Sequence, residues 1–337
     1  MKKFYPKRLL IEKEALKYPL GRKLEKKFLD DDLTVEYIKS HNRVSPEEKM
    51  SPIQLFNWAK ETLVVGVKKT LRFKSCQPSA DYRLVTTTSC PGKCEYCYLS
   101  TNLGSAVYPR IYVNIKEILK AVKKHIRKGK GEIVTFEASS SSDPLAVEHL
   151  TGTLKETIEY FASQPQGRLR VVTKFGFVDN LLSIDHQNHT RFRFSINPEY
   201  IIKNFEHGTS SLTERIAAAA KIQEADYPLG FIIAPLIMYP EWKRGYEKLL
   251  ITLKDSLEND QAENLSFELI QYRFSTRAKK LIEARFPNTK LKLDKEEYHH
   301  QGFGKYVYPE EKAAELKTFM KEKISANFPQ AKIEYFV

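Results

Sequence analysis

Short apolar runs alternate with longer amphipathic segments between about residue 80 and residue 285 of this 337-residue chain. The apolar runs are rich in Val, Ile, Phe and Thr, a composition that is typical of buried strands. The six predicted strands are Tyr82–Thr88, Glu132–Glu137, Leu169–Lys174, Arg191–Ile196, Gly230–Leu236 and Leu265–Tyr272.

The segments between these strands place apolar residues at helical spacing. Asn114 and Ser211 stand directly before the first and the fourth of them, where N-cap residues are expected. The six predicted helices are Ile115–Lys128, Leu150–Ser163, Phe177–Leu182, Leu212–Ala225, Trp242–Leu257 and Arg277–Ala284.

Six successive strand–helix units predict an α/β fold with parallel strands and right-handed crossovers over residues 80–285. They are too few for a closed eight-stranded barrel. Residues 1–79 predict an α/β extension packed on this core. Residues 286–337 predict a C-terminal segment that ends with a helix, Glu310–Ala326, and a strand, Lys332–Val337. Without a linker or an internal repeat, we expect one compact unit, with function at the carboxyl ends of the strands.

Three of the four cysteines form the C-x₃-C-x₂-C run Cys90, Cys94 and Cys97, directly after the first predicted strand. Three thiolates leave one coordination position of a metal centre for a ligand other than protein. The nearest histidines, His41 and His125, are far away in the sequence. The run therefore favours a [4Fe–4S] cluster with one open iron. Zinc, which normally closes a structural site with four ligands, is the alternative.

The formal net charge of +13 is consistent with a polyanionic partner such as DNA, although a lysine-rich proteome also produces basic enzymes. Local basic clusters occupy residues 68–74 and 123–130. There is no apolar run long enough to span a membrane and no signal-peptide pattern. Four cysteines, three of them clustered, do not form a disulfide framework. We therefore expect a reducing compartment, the cytoplasm.

The cysteine spacing, with the aromatic Tyr96 before the third cysteine, resembles the radical S-adenosylmethionine (SAM) superfamily. Six strand–helix units match the partial (β/α)₆ barrel of that superfamily. The resemblance implies a [4Fe–4S] cluster whose open iron is chelated by SAM. An electron from the cluster would cleave SAM to methionine and a 5′-deoxyadenosyl radical.

Stretches in the same order along most of the chain resemble one family in particular, spore photoproduct lyase. They are residues Ala15–Gly21, Thr62–Val67, Pro78–Tyr82, Cys97–Leu99, Phe136–Ser139, Arg191–Asn197, Tyr227–Pro235, Phe267–Gln271, Gly304–Tyr308 and Ile333–Phe336.

This resemblance implies a carbon–carbon lyase for DNA repair. Its substrate would be the spore photoproduct, 5-thyminyl-5,6-dihydrothymine, a methylene-bridged thymine dimer that the enzyme returns to two thymines. The expected partners are double-stranded DNA with the lesion extruded from the base stack, and an electron donor of the flavodoxin or ferredoxin type. We expect a monomer.

The resemblance also implies roles for individual residues. Cys90, Cys94 and Cys97 would hold the cluster, and Tyr96 and Tyr98 would lie between the lesion and the hydrogen-donor chemistry. Taken alone, a strand serine, a lysine or an aromatic residue beside a cysteine has ordinary structural explanations. The positions that match SAM contacts are Tyr98, Ser142, Lys174, Ser195 and Ala234.

The chain departs from the family where a hydrogen-donor cysteine usually follows Phe-Glu-Ala-Ser, because this position is Ser140. A serine O–H bond is too strong to quench a carbon radical readily. The chain is then an inactive variant or lesion binder, or it has another nucleic-acid substrate, or it uses another donor. Cys76 is the remaining thiol and our candidate donor, although it is equally consistent with a small buried apolar residue.

A second departure is the hairpin that enters DNA in the family. Where the family has a Trp-Gly-Arg-Tyr-like sequence, this chain has Tyr298-His-His-Gln301. We expect Tyr298 to stack on the lesion and His300 and Gln301 to contact the substrate. A solvated loop is the alternative interpretation of the histidine pair.

Overall fold

The amino-terminal part of the chain forms a five-stranded sheet in the computed structural model, which describes residues 2–104, 107–257 and 265–337. Its strands are β1 (Arg8–Glu12), β2 (Thr34–Ile38), β3 (Thr62–Gly66), β6 (Thr87–Thr88) and β8 (Arg110–Tyr112). Their order is β2-β1-β3-β8-β6, and only β6 runs antiparallel to its neighbour. Strands β6 and β8 come from beyond residue 80, so this sheet joins the extension to the core.

The larger sheet carries the edge at which the site lies. Its strands are β4 (Ser75–Cys76), β5 (Ala80–Arg83), β9 (Val134–Glu137), β10 (Gly167–Thr173), β11 (Thr190–Ile196), β13 (Leu229–Leu236), β14 (Ser266–Gln271) and β18 (Lys332–Phe336). They follow the order β18-β14-β13-β11-β10-β9-β5-β4, and every pair except β4–β5 is parallel. The predicted α/β fold with a partial barrel of parallel strands is confirmed.

Helices cover the outer face of this sheet because their apolar residues recur at helical spacing. In the helix after β8, for example, Ile118, Val122 and Ile126 are buried. Within the described residues, no helix is long and apolar enough to cross a membrane. The helices are α1 (Pro19–Asp30), α2 (Pro52–Lys60), α3 (Tyr98–Asn102), α4 (Ile115–Lys128), α5 (Glu148–Thr151), α6 (Thr153–Ala162), α7 (Glu199–Phe205), α8 (Leu212–Glu224), α9 (Trp242–Ser256), α10 (Thr276–Arg285) and α11 (Glu310–Asn327).

Two small antiparallel sheets complete the fold. Strands β7 (Lys93–Cys94) and β12 (Glu206–His207) pair beside the cysteine run. Strands β15 (Arg273–Ser275), β16 (His299–His300) and β17 (Lys305–Val307) form the second, in which β16 and β17 are a hairpin.

The two predicted N-caps have different outcomes. Ser211 caps α8 through a capping box, because its hydroxyl accepts a hydrogen bond from Glu214 N and the Glu214 carboxylate accepts one from Ser211 N. Asn114 stands at the N-cap of α4 but does not cap it with its side chain. Its amide instead exchanges two hydrogen bonds with the backbone of Lys68, so it ties α4 to the amino-terminal sheet.

The predicted strand Tyr82–Thr88 was wrong because the chain passes from one sheet to the other within it. Leu84 N bonds Glu137 O of the larger sheet, whereas Thr86 O accepts from Tyr112 N of the smaller one. The cysteine run therefore follows β6 of the amino-terminal sheet and not the first barrel strand.

Two predicted helices were also wrong. Leu150–Ser163 is interrupted at Gly152, which adopts a left-handed φ of 66° and separates α5 from α6. Residues Phe177–Leu182 form a turn, although Val178 and Leu181 are buried. Asp179 and Asn180 lie in this turn and are favourable turn formers. Helix α7 was missed because it is short.

Candidate active site

The three clustered cysteines lie on the loop between β6 and α3. Gly92 N donates a hydrogen bond to Cys90 Sγ at 3.3 Å, and a Cβ at this glycine would lie 3.3 Å from that sulfur. Cys94 pairs with Glu206 between β7 and β12, and Cys97 N donates to Cys94 O. The loop is thus held at each cysteine, and all three thiols are free of disulfides.

Three free thiols on one short loop are the donor set that a [4Fe–4S] cluster with one open iron takes. Within the described ranges, no group of three His, Cys, Asp or Glu side chains forms a single-ion site. In a [4Fe–4S] cluster each cysteine binds a different iron, so the sulfurs stand further apart. Burial raises the pKa of Cys94 to about 12 and that of Cys90 well above its usual range. Metal binding would therefore have to release protons.

A buried carboxylate, Glu206, lies opposite Cys94 and contacts four side chains, one of which is Asn197, whose amide donates to it at 3.2 Å. Lys174 Nζ lies 2.8 Å from one carboxylate oxygen, and an Arg215 nitrogen lies 2.6 Å from the other. Tyr96 donates its hydroxyl to the same carboxylate. Burial would raise the pKa of Glu206, but Arg215, Lys174 and the Tyr96 hydrogen bond lower it to about 2. The expected SAM residue Lys174 and Tyr96 thus meet beside the cysteine loop.

The other residues matched to SAM contacts lie at or beyond the carboxyl ends of neighbouring parallel strands. Ser142 follows β9, shares a hydrogen bond with Thr87 and forms a bridge with Ser89, just before Cys90. Ser195 is buried near the end of β11, and its carbonyl accepts from Arg215. Ala234 lies towards the end of β13. The sheet therefore brings Ser142, Lys174, Ser195 and Ala234 to one edge, at which a ligand above the strands would meet them.

Cys76, Ser140 and Tyr98 converge at a second place. Cys76 pairs with Ala80 between β4 and β5, and the Tyr98 hydroxyl donates to Ser140 O at 2.6 Å. Burial and then Glu137 raise the pKa of the Cys76 thiol, while contact with the Ser140 side chain lowers it. Ser140 Oγ forms no hydrogen bond of good geometry with the described residues. We call Cys76, Ser140 and Tyr98 the donor pocket.

The donor pocket rests on a buried ion network that the sequence analysis missed. Ser79 donates to Glu137 at 2.7 Å and accepts from Arg193 at 3.0 Å, which holds the turn after Cys76. Arg193 also pairs with Glu137 and Glu268. A detectable signal was the second arginine of β11, Arg193, which lies among buried residues, because a buried charge requires a partner. Glu206 was missed as well.

Of the three residues expected to contact the substrate near the β16–β17 hairpin, His300 and Gln301 are exposed and Tyr298 is buried. Tyr298 is 9% exposed, stacked on Tyr308 at 5.3 Å, and therefore is not available for stacking on a base. The tip instead presents Phe303, which is 102% exposed between two glycines of positive φ. The Gly-Phe-Gly sequence was the signal for this residue.

Comparisons with known proteins cover nearly the whole chain. The family model described as spore photoproduct lyase matches residues 4–337. The chain is 46% identical over 337 residues to spore photoproduct lyase of Bacillus subtilis (strain 168), covering 99% of this chain and 98% of that protein. It is 44% identical over 340 residues to that of Geobacillus sp. (strain Y412MC61), covering 100% of both. A solved spore photoproduct lyase double mutant with bound AdoMet and dinucleoside spore photoproduct superposes with a TM-score of 0.96 at 45% identity, covering 100% of each chain.

Proposed function

Because the chain belongs to the spore photoproduct lyase family, we propose that it reverses the spore photoproduct in DNA to two thymines by radical SAM chemistry. The observation that carries this proposal is the meeting of three free thiols with Lys174, Tyr96 and Glu206 at the carboxyl edge of the barrel. Cys90, Cys94 and Cys97 would hold a [4Fe–4S] cluster. When bound, this cluster supplies the electron that cleaves SAM to methionine and a 5′-deoxyadenosyl radical.

The side chains around the loop bind and orient the cofactor. Ser142, Lys174, Ser195 and Ala234 would line the SAM site, together with Tyr98. SAM carries a carboxylate, which Lys174 can bind if it exchanges part of its contact with Glu206. Arg215 keeps Glu206 paired during this exchange, since it contacts the other carboxylate oxygen.

Cys76 is the hydrogen donor in this proposal. After the methylene bridge breaks, the thymine radical would take the hydrogen atom of the Cys76 S–H bond and leave a sulfur radical. One electron from the reductant and one proton from solvent would then restore the Cys76 thiol. Burial and Glu137 keep this thiol protonated, so the hydrogen atom is present. Tyr98 is the neighbouring O–H group, because it bonds the backbone of Ser140. Ser140 occupies the pocket but has no weak bond to offer.

Reductive turnover of a synthetic dinucleotide spore photoproduct, without oxygen, tests the function. We expect SAM-dependent release of two thymines. Cleavage of SAM without this repair would favour another nucleic-acid substrate, and neither reaction would favour a lesion-binding protein. A reductant of the flavodoxin or ferredoxin type and a reducing cytoplasm accord with the four free cysteines.

Duplex DNA would bind across the barrel mouth, with Phe303 as an apolar wedge at the hairpin tip. The charge of +13 predicts affinity that falls steeply with salt. We expect Phe303→Ala to weaken binding of lesion duplex by about 1–3 kcal/mol, the range for one base–aromatic contact, without changing the salt dependence. Tyr306→Ala, at the second position of β17, is the aromatic control within the same hairpin. If the parent and Phe303→Ala bind lesion duplex with equal affinity, Phe303 does not act as a wedge.

A further inference from the structure

A lysine is buried directly behind the cysteine loop. Lys60, the last residue of α2, is 2% exposed. Its Nζ donates to the carbonyl oxygen of Cys90 at 2.7 Å and lies 3.4 Å from Ser89 Oγ. The ammonium group therefore touches the backbone of the first cysteine.

This charge has no acidic partner in the part of the chain that the structure describes. No Asp or Glu there lies within ion-pair distance of Lys60. Burial lowers the pKa of Lys60, whereas the neighbouring thiolates of Cys90, Cys97 and Cys94 raise it. A second cation, Arg285, lies nearby, and both cations lie over the Phe56 ring, at 5.5 Å and 5.0 Å from its centre. Arg285 bonds the carbonyls of Ser100 and Gly104, just after the cysteine loop. An unpaired buried charge is costly, so a negative charge is expected nearby.

We propose that Lys60 is a positioning residue whose buried positive charge offsets the negative charge of the cysteine-bound cluster and so raises its reduction potential. The inference rests on the proposed function, because it needs a cluster on Cys90, Cys94 and Cys97. These thiolates contribute three negative charges, and reduction adds one electron to the same small volume. A fixed cation at short range stabilises the reduced form more than the oxidised form. The hydrogen bond to Cys90 O also holds the loop in place.

The test measures the midpoint potential of the reconstituted full-length protein without SAM or substrate, by following the reduced cluster with electron paramagnetic resonance. In Lys60→Met, which keeps the length of the side chain, the ratio of reduced to oxidised cluster at a fixed potential should fall about tenfold, equivalent to ~59 mV for one electron. Lys60→Arg should recover most of this shift. Lys93→Met is the matched control on the same loop, because Lys93 already lies near Glu61, at 3.6 Å, and it should shift the potential less.

A second measurement keeps the inference testable if Lys60→Met holds iron poorly. Before iron is added, Lys60→Met should change the unfolding temperature little, since it removes both an uncompensated buried charge and the hydrogen bond to Cys90 O. With iron, it should lose the cluster to a chelator faster than the parent. A lower unfolding temperature of the iron-free protein, together with cluster loss at the parent's rate, would assign Lys60 a purely structural role and overturn the proposal.

The outcomes separate this inference from the function on which it rests. A parent protein that binds no cluster would overturn both. A parent with a normal cluster and repair activity, whose potential Lys60→Met leaves unchanged, would overturn the inference alone.

Discussion

The cysteine loop and the donor pocket both hold partly or fully buried thiols, for which we propose opposite roles. Burial raises the pKa at both places. The strongest charged neighbour of Cys94 is Lys174, which lowers its pKa, whereas that of Cys76 is Glu137, which raises it. A cation nearby assists loss of the proton and hence metal binding, while a carboxylate preserves the S–H bond. The contrast holds for Cys94 and Cys76, whereas Cys90 has both kinds of neighbour, because Asp143 raises its pKa and Lys60 lowers it.

The two regions also differ in how the chain assembles them. The loop thiols come from one short segment, with Lys60 at the end of α2 and Lys174 after β10 among its charged neighbours. The donor pocket joins residues distant in sequence through the β4–β5 and β5–β9 pairings. Substitutions at the loop should therefore remove the cofactor, whereas those at the pocket should change the product.

The largest expected effect is loss of the cluster. Cys90→Ala, Cys94→Ala and Cys97→Ala should each abolish iron binding and repair, from about four irons per chain in the parent after anaerobic reconstitution. Cys76→Ala should keep the full iron content, measured by iron analysis and the spectrum of the reduced protein. Loss of iron in Cys76→Ala as well would contradict the distinction between the two regions. Tight binding of one zinc ion per chain by the parent, without iron, would contradict the proposed cluster.

The next effect is a change of product. Cys76→Ala should still consume the lesion, but most product should become adducts quenched by dithionite, because the thymine radical lacks a weak bond nearby. Chromatography of the products measures the ratio. Adding Ser140→Cys to this variant should restore thymines, since the two side chains touch. If Cys76→Ala repairs as cleanly as the parent, Cys76 only packs; if the parent itself forms adducts, the chain is a disabled lyase.

The third effect is on the free energy of unfolding, through the Glu206 carboxylate beside the cysteine loop. Glu206→Gln leaves Lys174 and Arg215 without their buried carboxylate and should lower the free energy of unfolding by about 3–5 kcal/mol, measured by denaturant titration of the iron-free protein. Glu199→Gln, an exposed glutamate on the neighbouring α7, should change it by less than about 0.5 kcal/mol. Similar values for the two variants would contradict the role of Glu206 in holding this region.

The smallest effect concerns pH. An ordinary thiol is half deprotonated near about pH 8.5. Since burial and Glu137 raise the pKa of Cys76, its S–H bond should persist there, and the fraction of adducts should stay constant between about pH 7 and about 8.5. The fraction should rise only at higher pH, as the thiol ionises. Glu137→Gln, which removes the neighbouring charge, should move this rise to lower pH. If the fraction of adducts already rises between about pH 7 and about 8.5, the pKa of the Cys76 thiol is not raised and the prediction is wrong.

Local spacing was enough to predict much of this molecule. The cysteine run, the capping box at Ser211 and the parallel strands β10, β11, β13 and β14 follow from residues close in sequence, because thiol spacing, helix caps and strand burial are local properties. The strand Tyr82–Thr88 failed because its two ends bond different sheets. The composition of residues 82–88 does not indicate that the chain passes from one sheet to the other there.

Only the tertiary structure decided which distant groups meet. Sheet pairing placed Cys76 against Ser140, and packing turned Tyr298 inwards while Phe303 remained outside. The end of α2 placed Lys60 behind Cys90, where no sequence pattern predicts a lysine. The sequence by itself determined the thiols and the parallel strands, since those depend on near neighbours. The charges around each thiol depend on which elements pack together, because electrostatic interactions act through space and not along the chain.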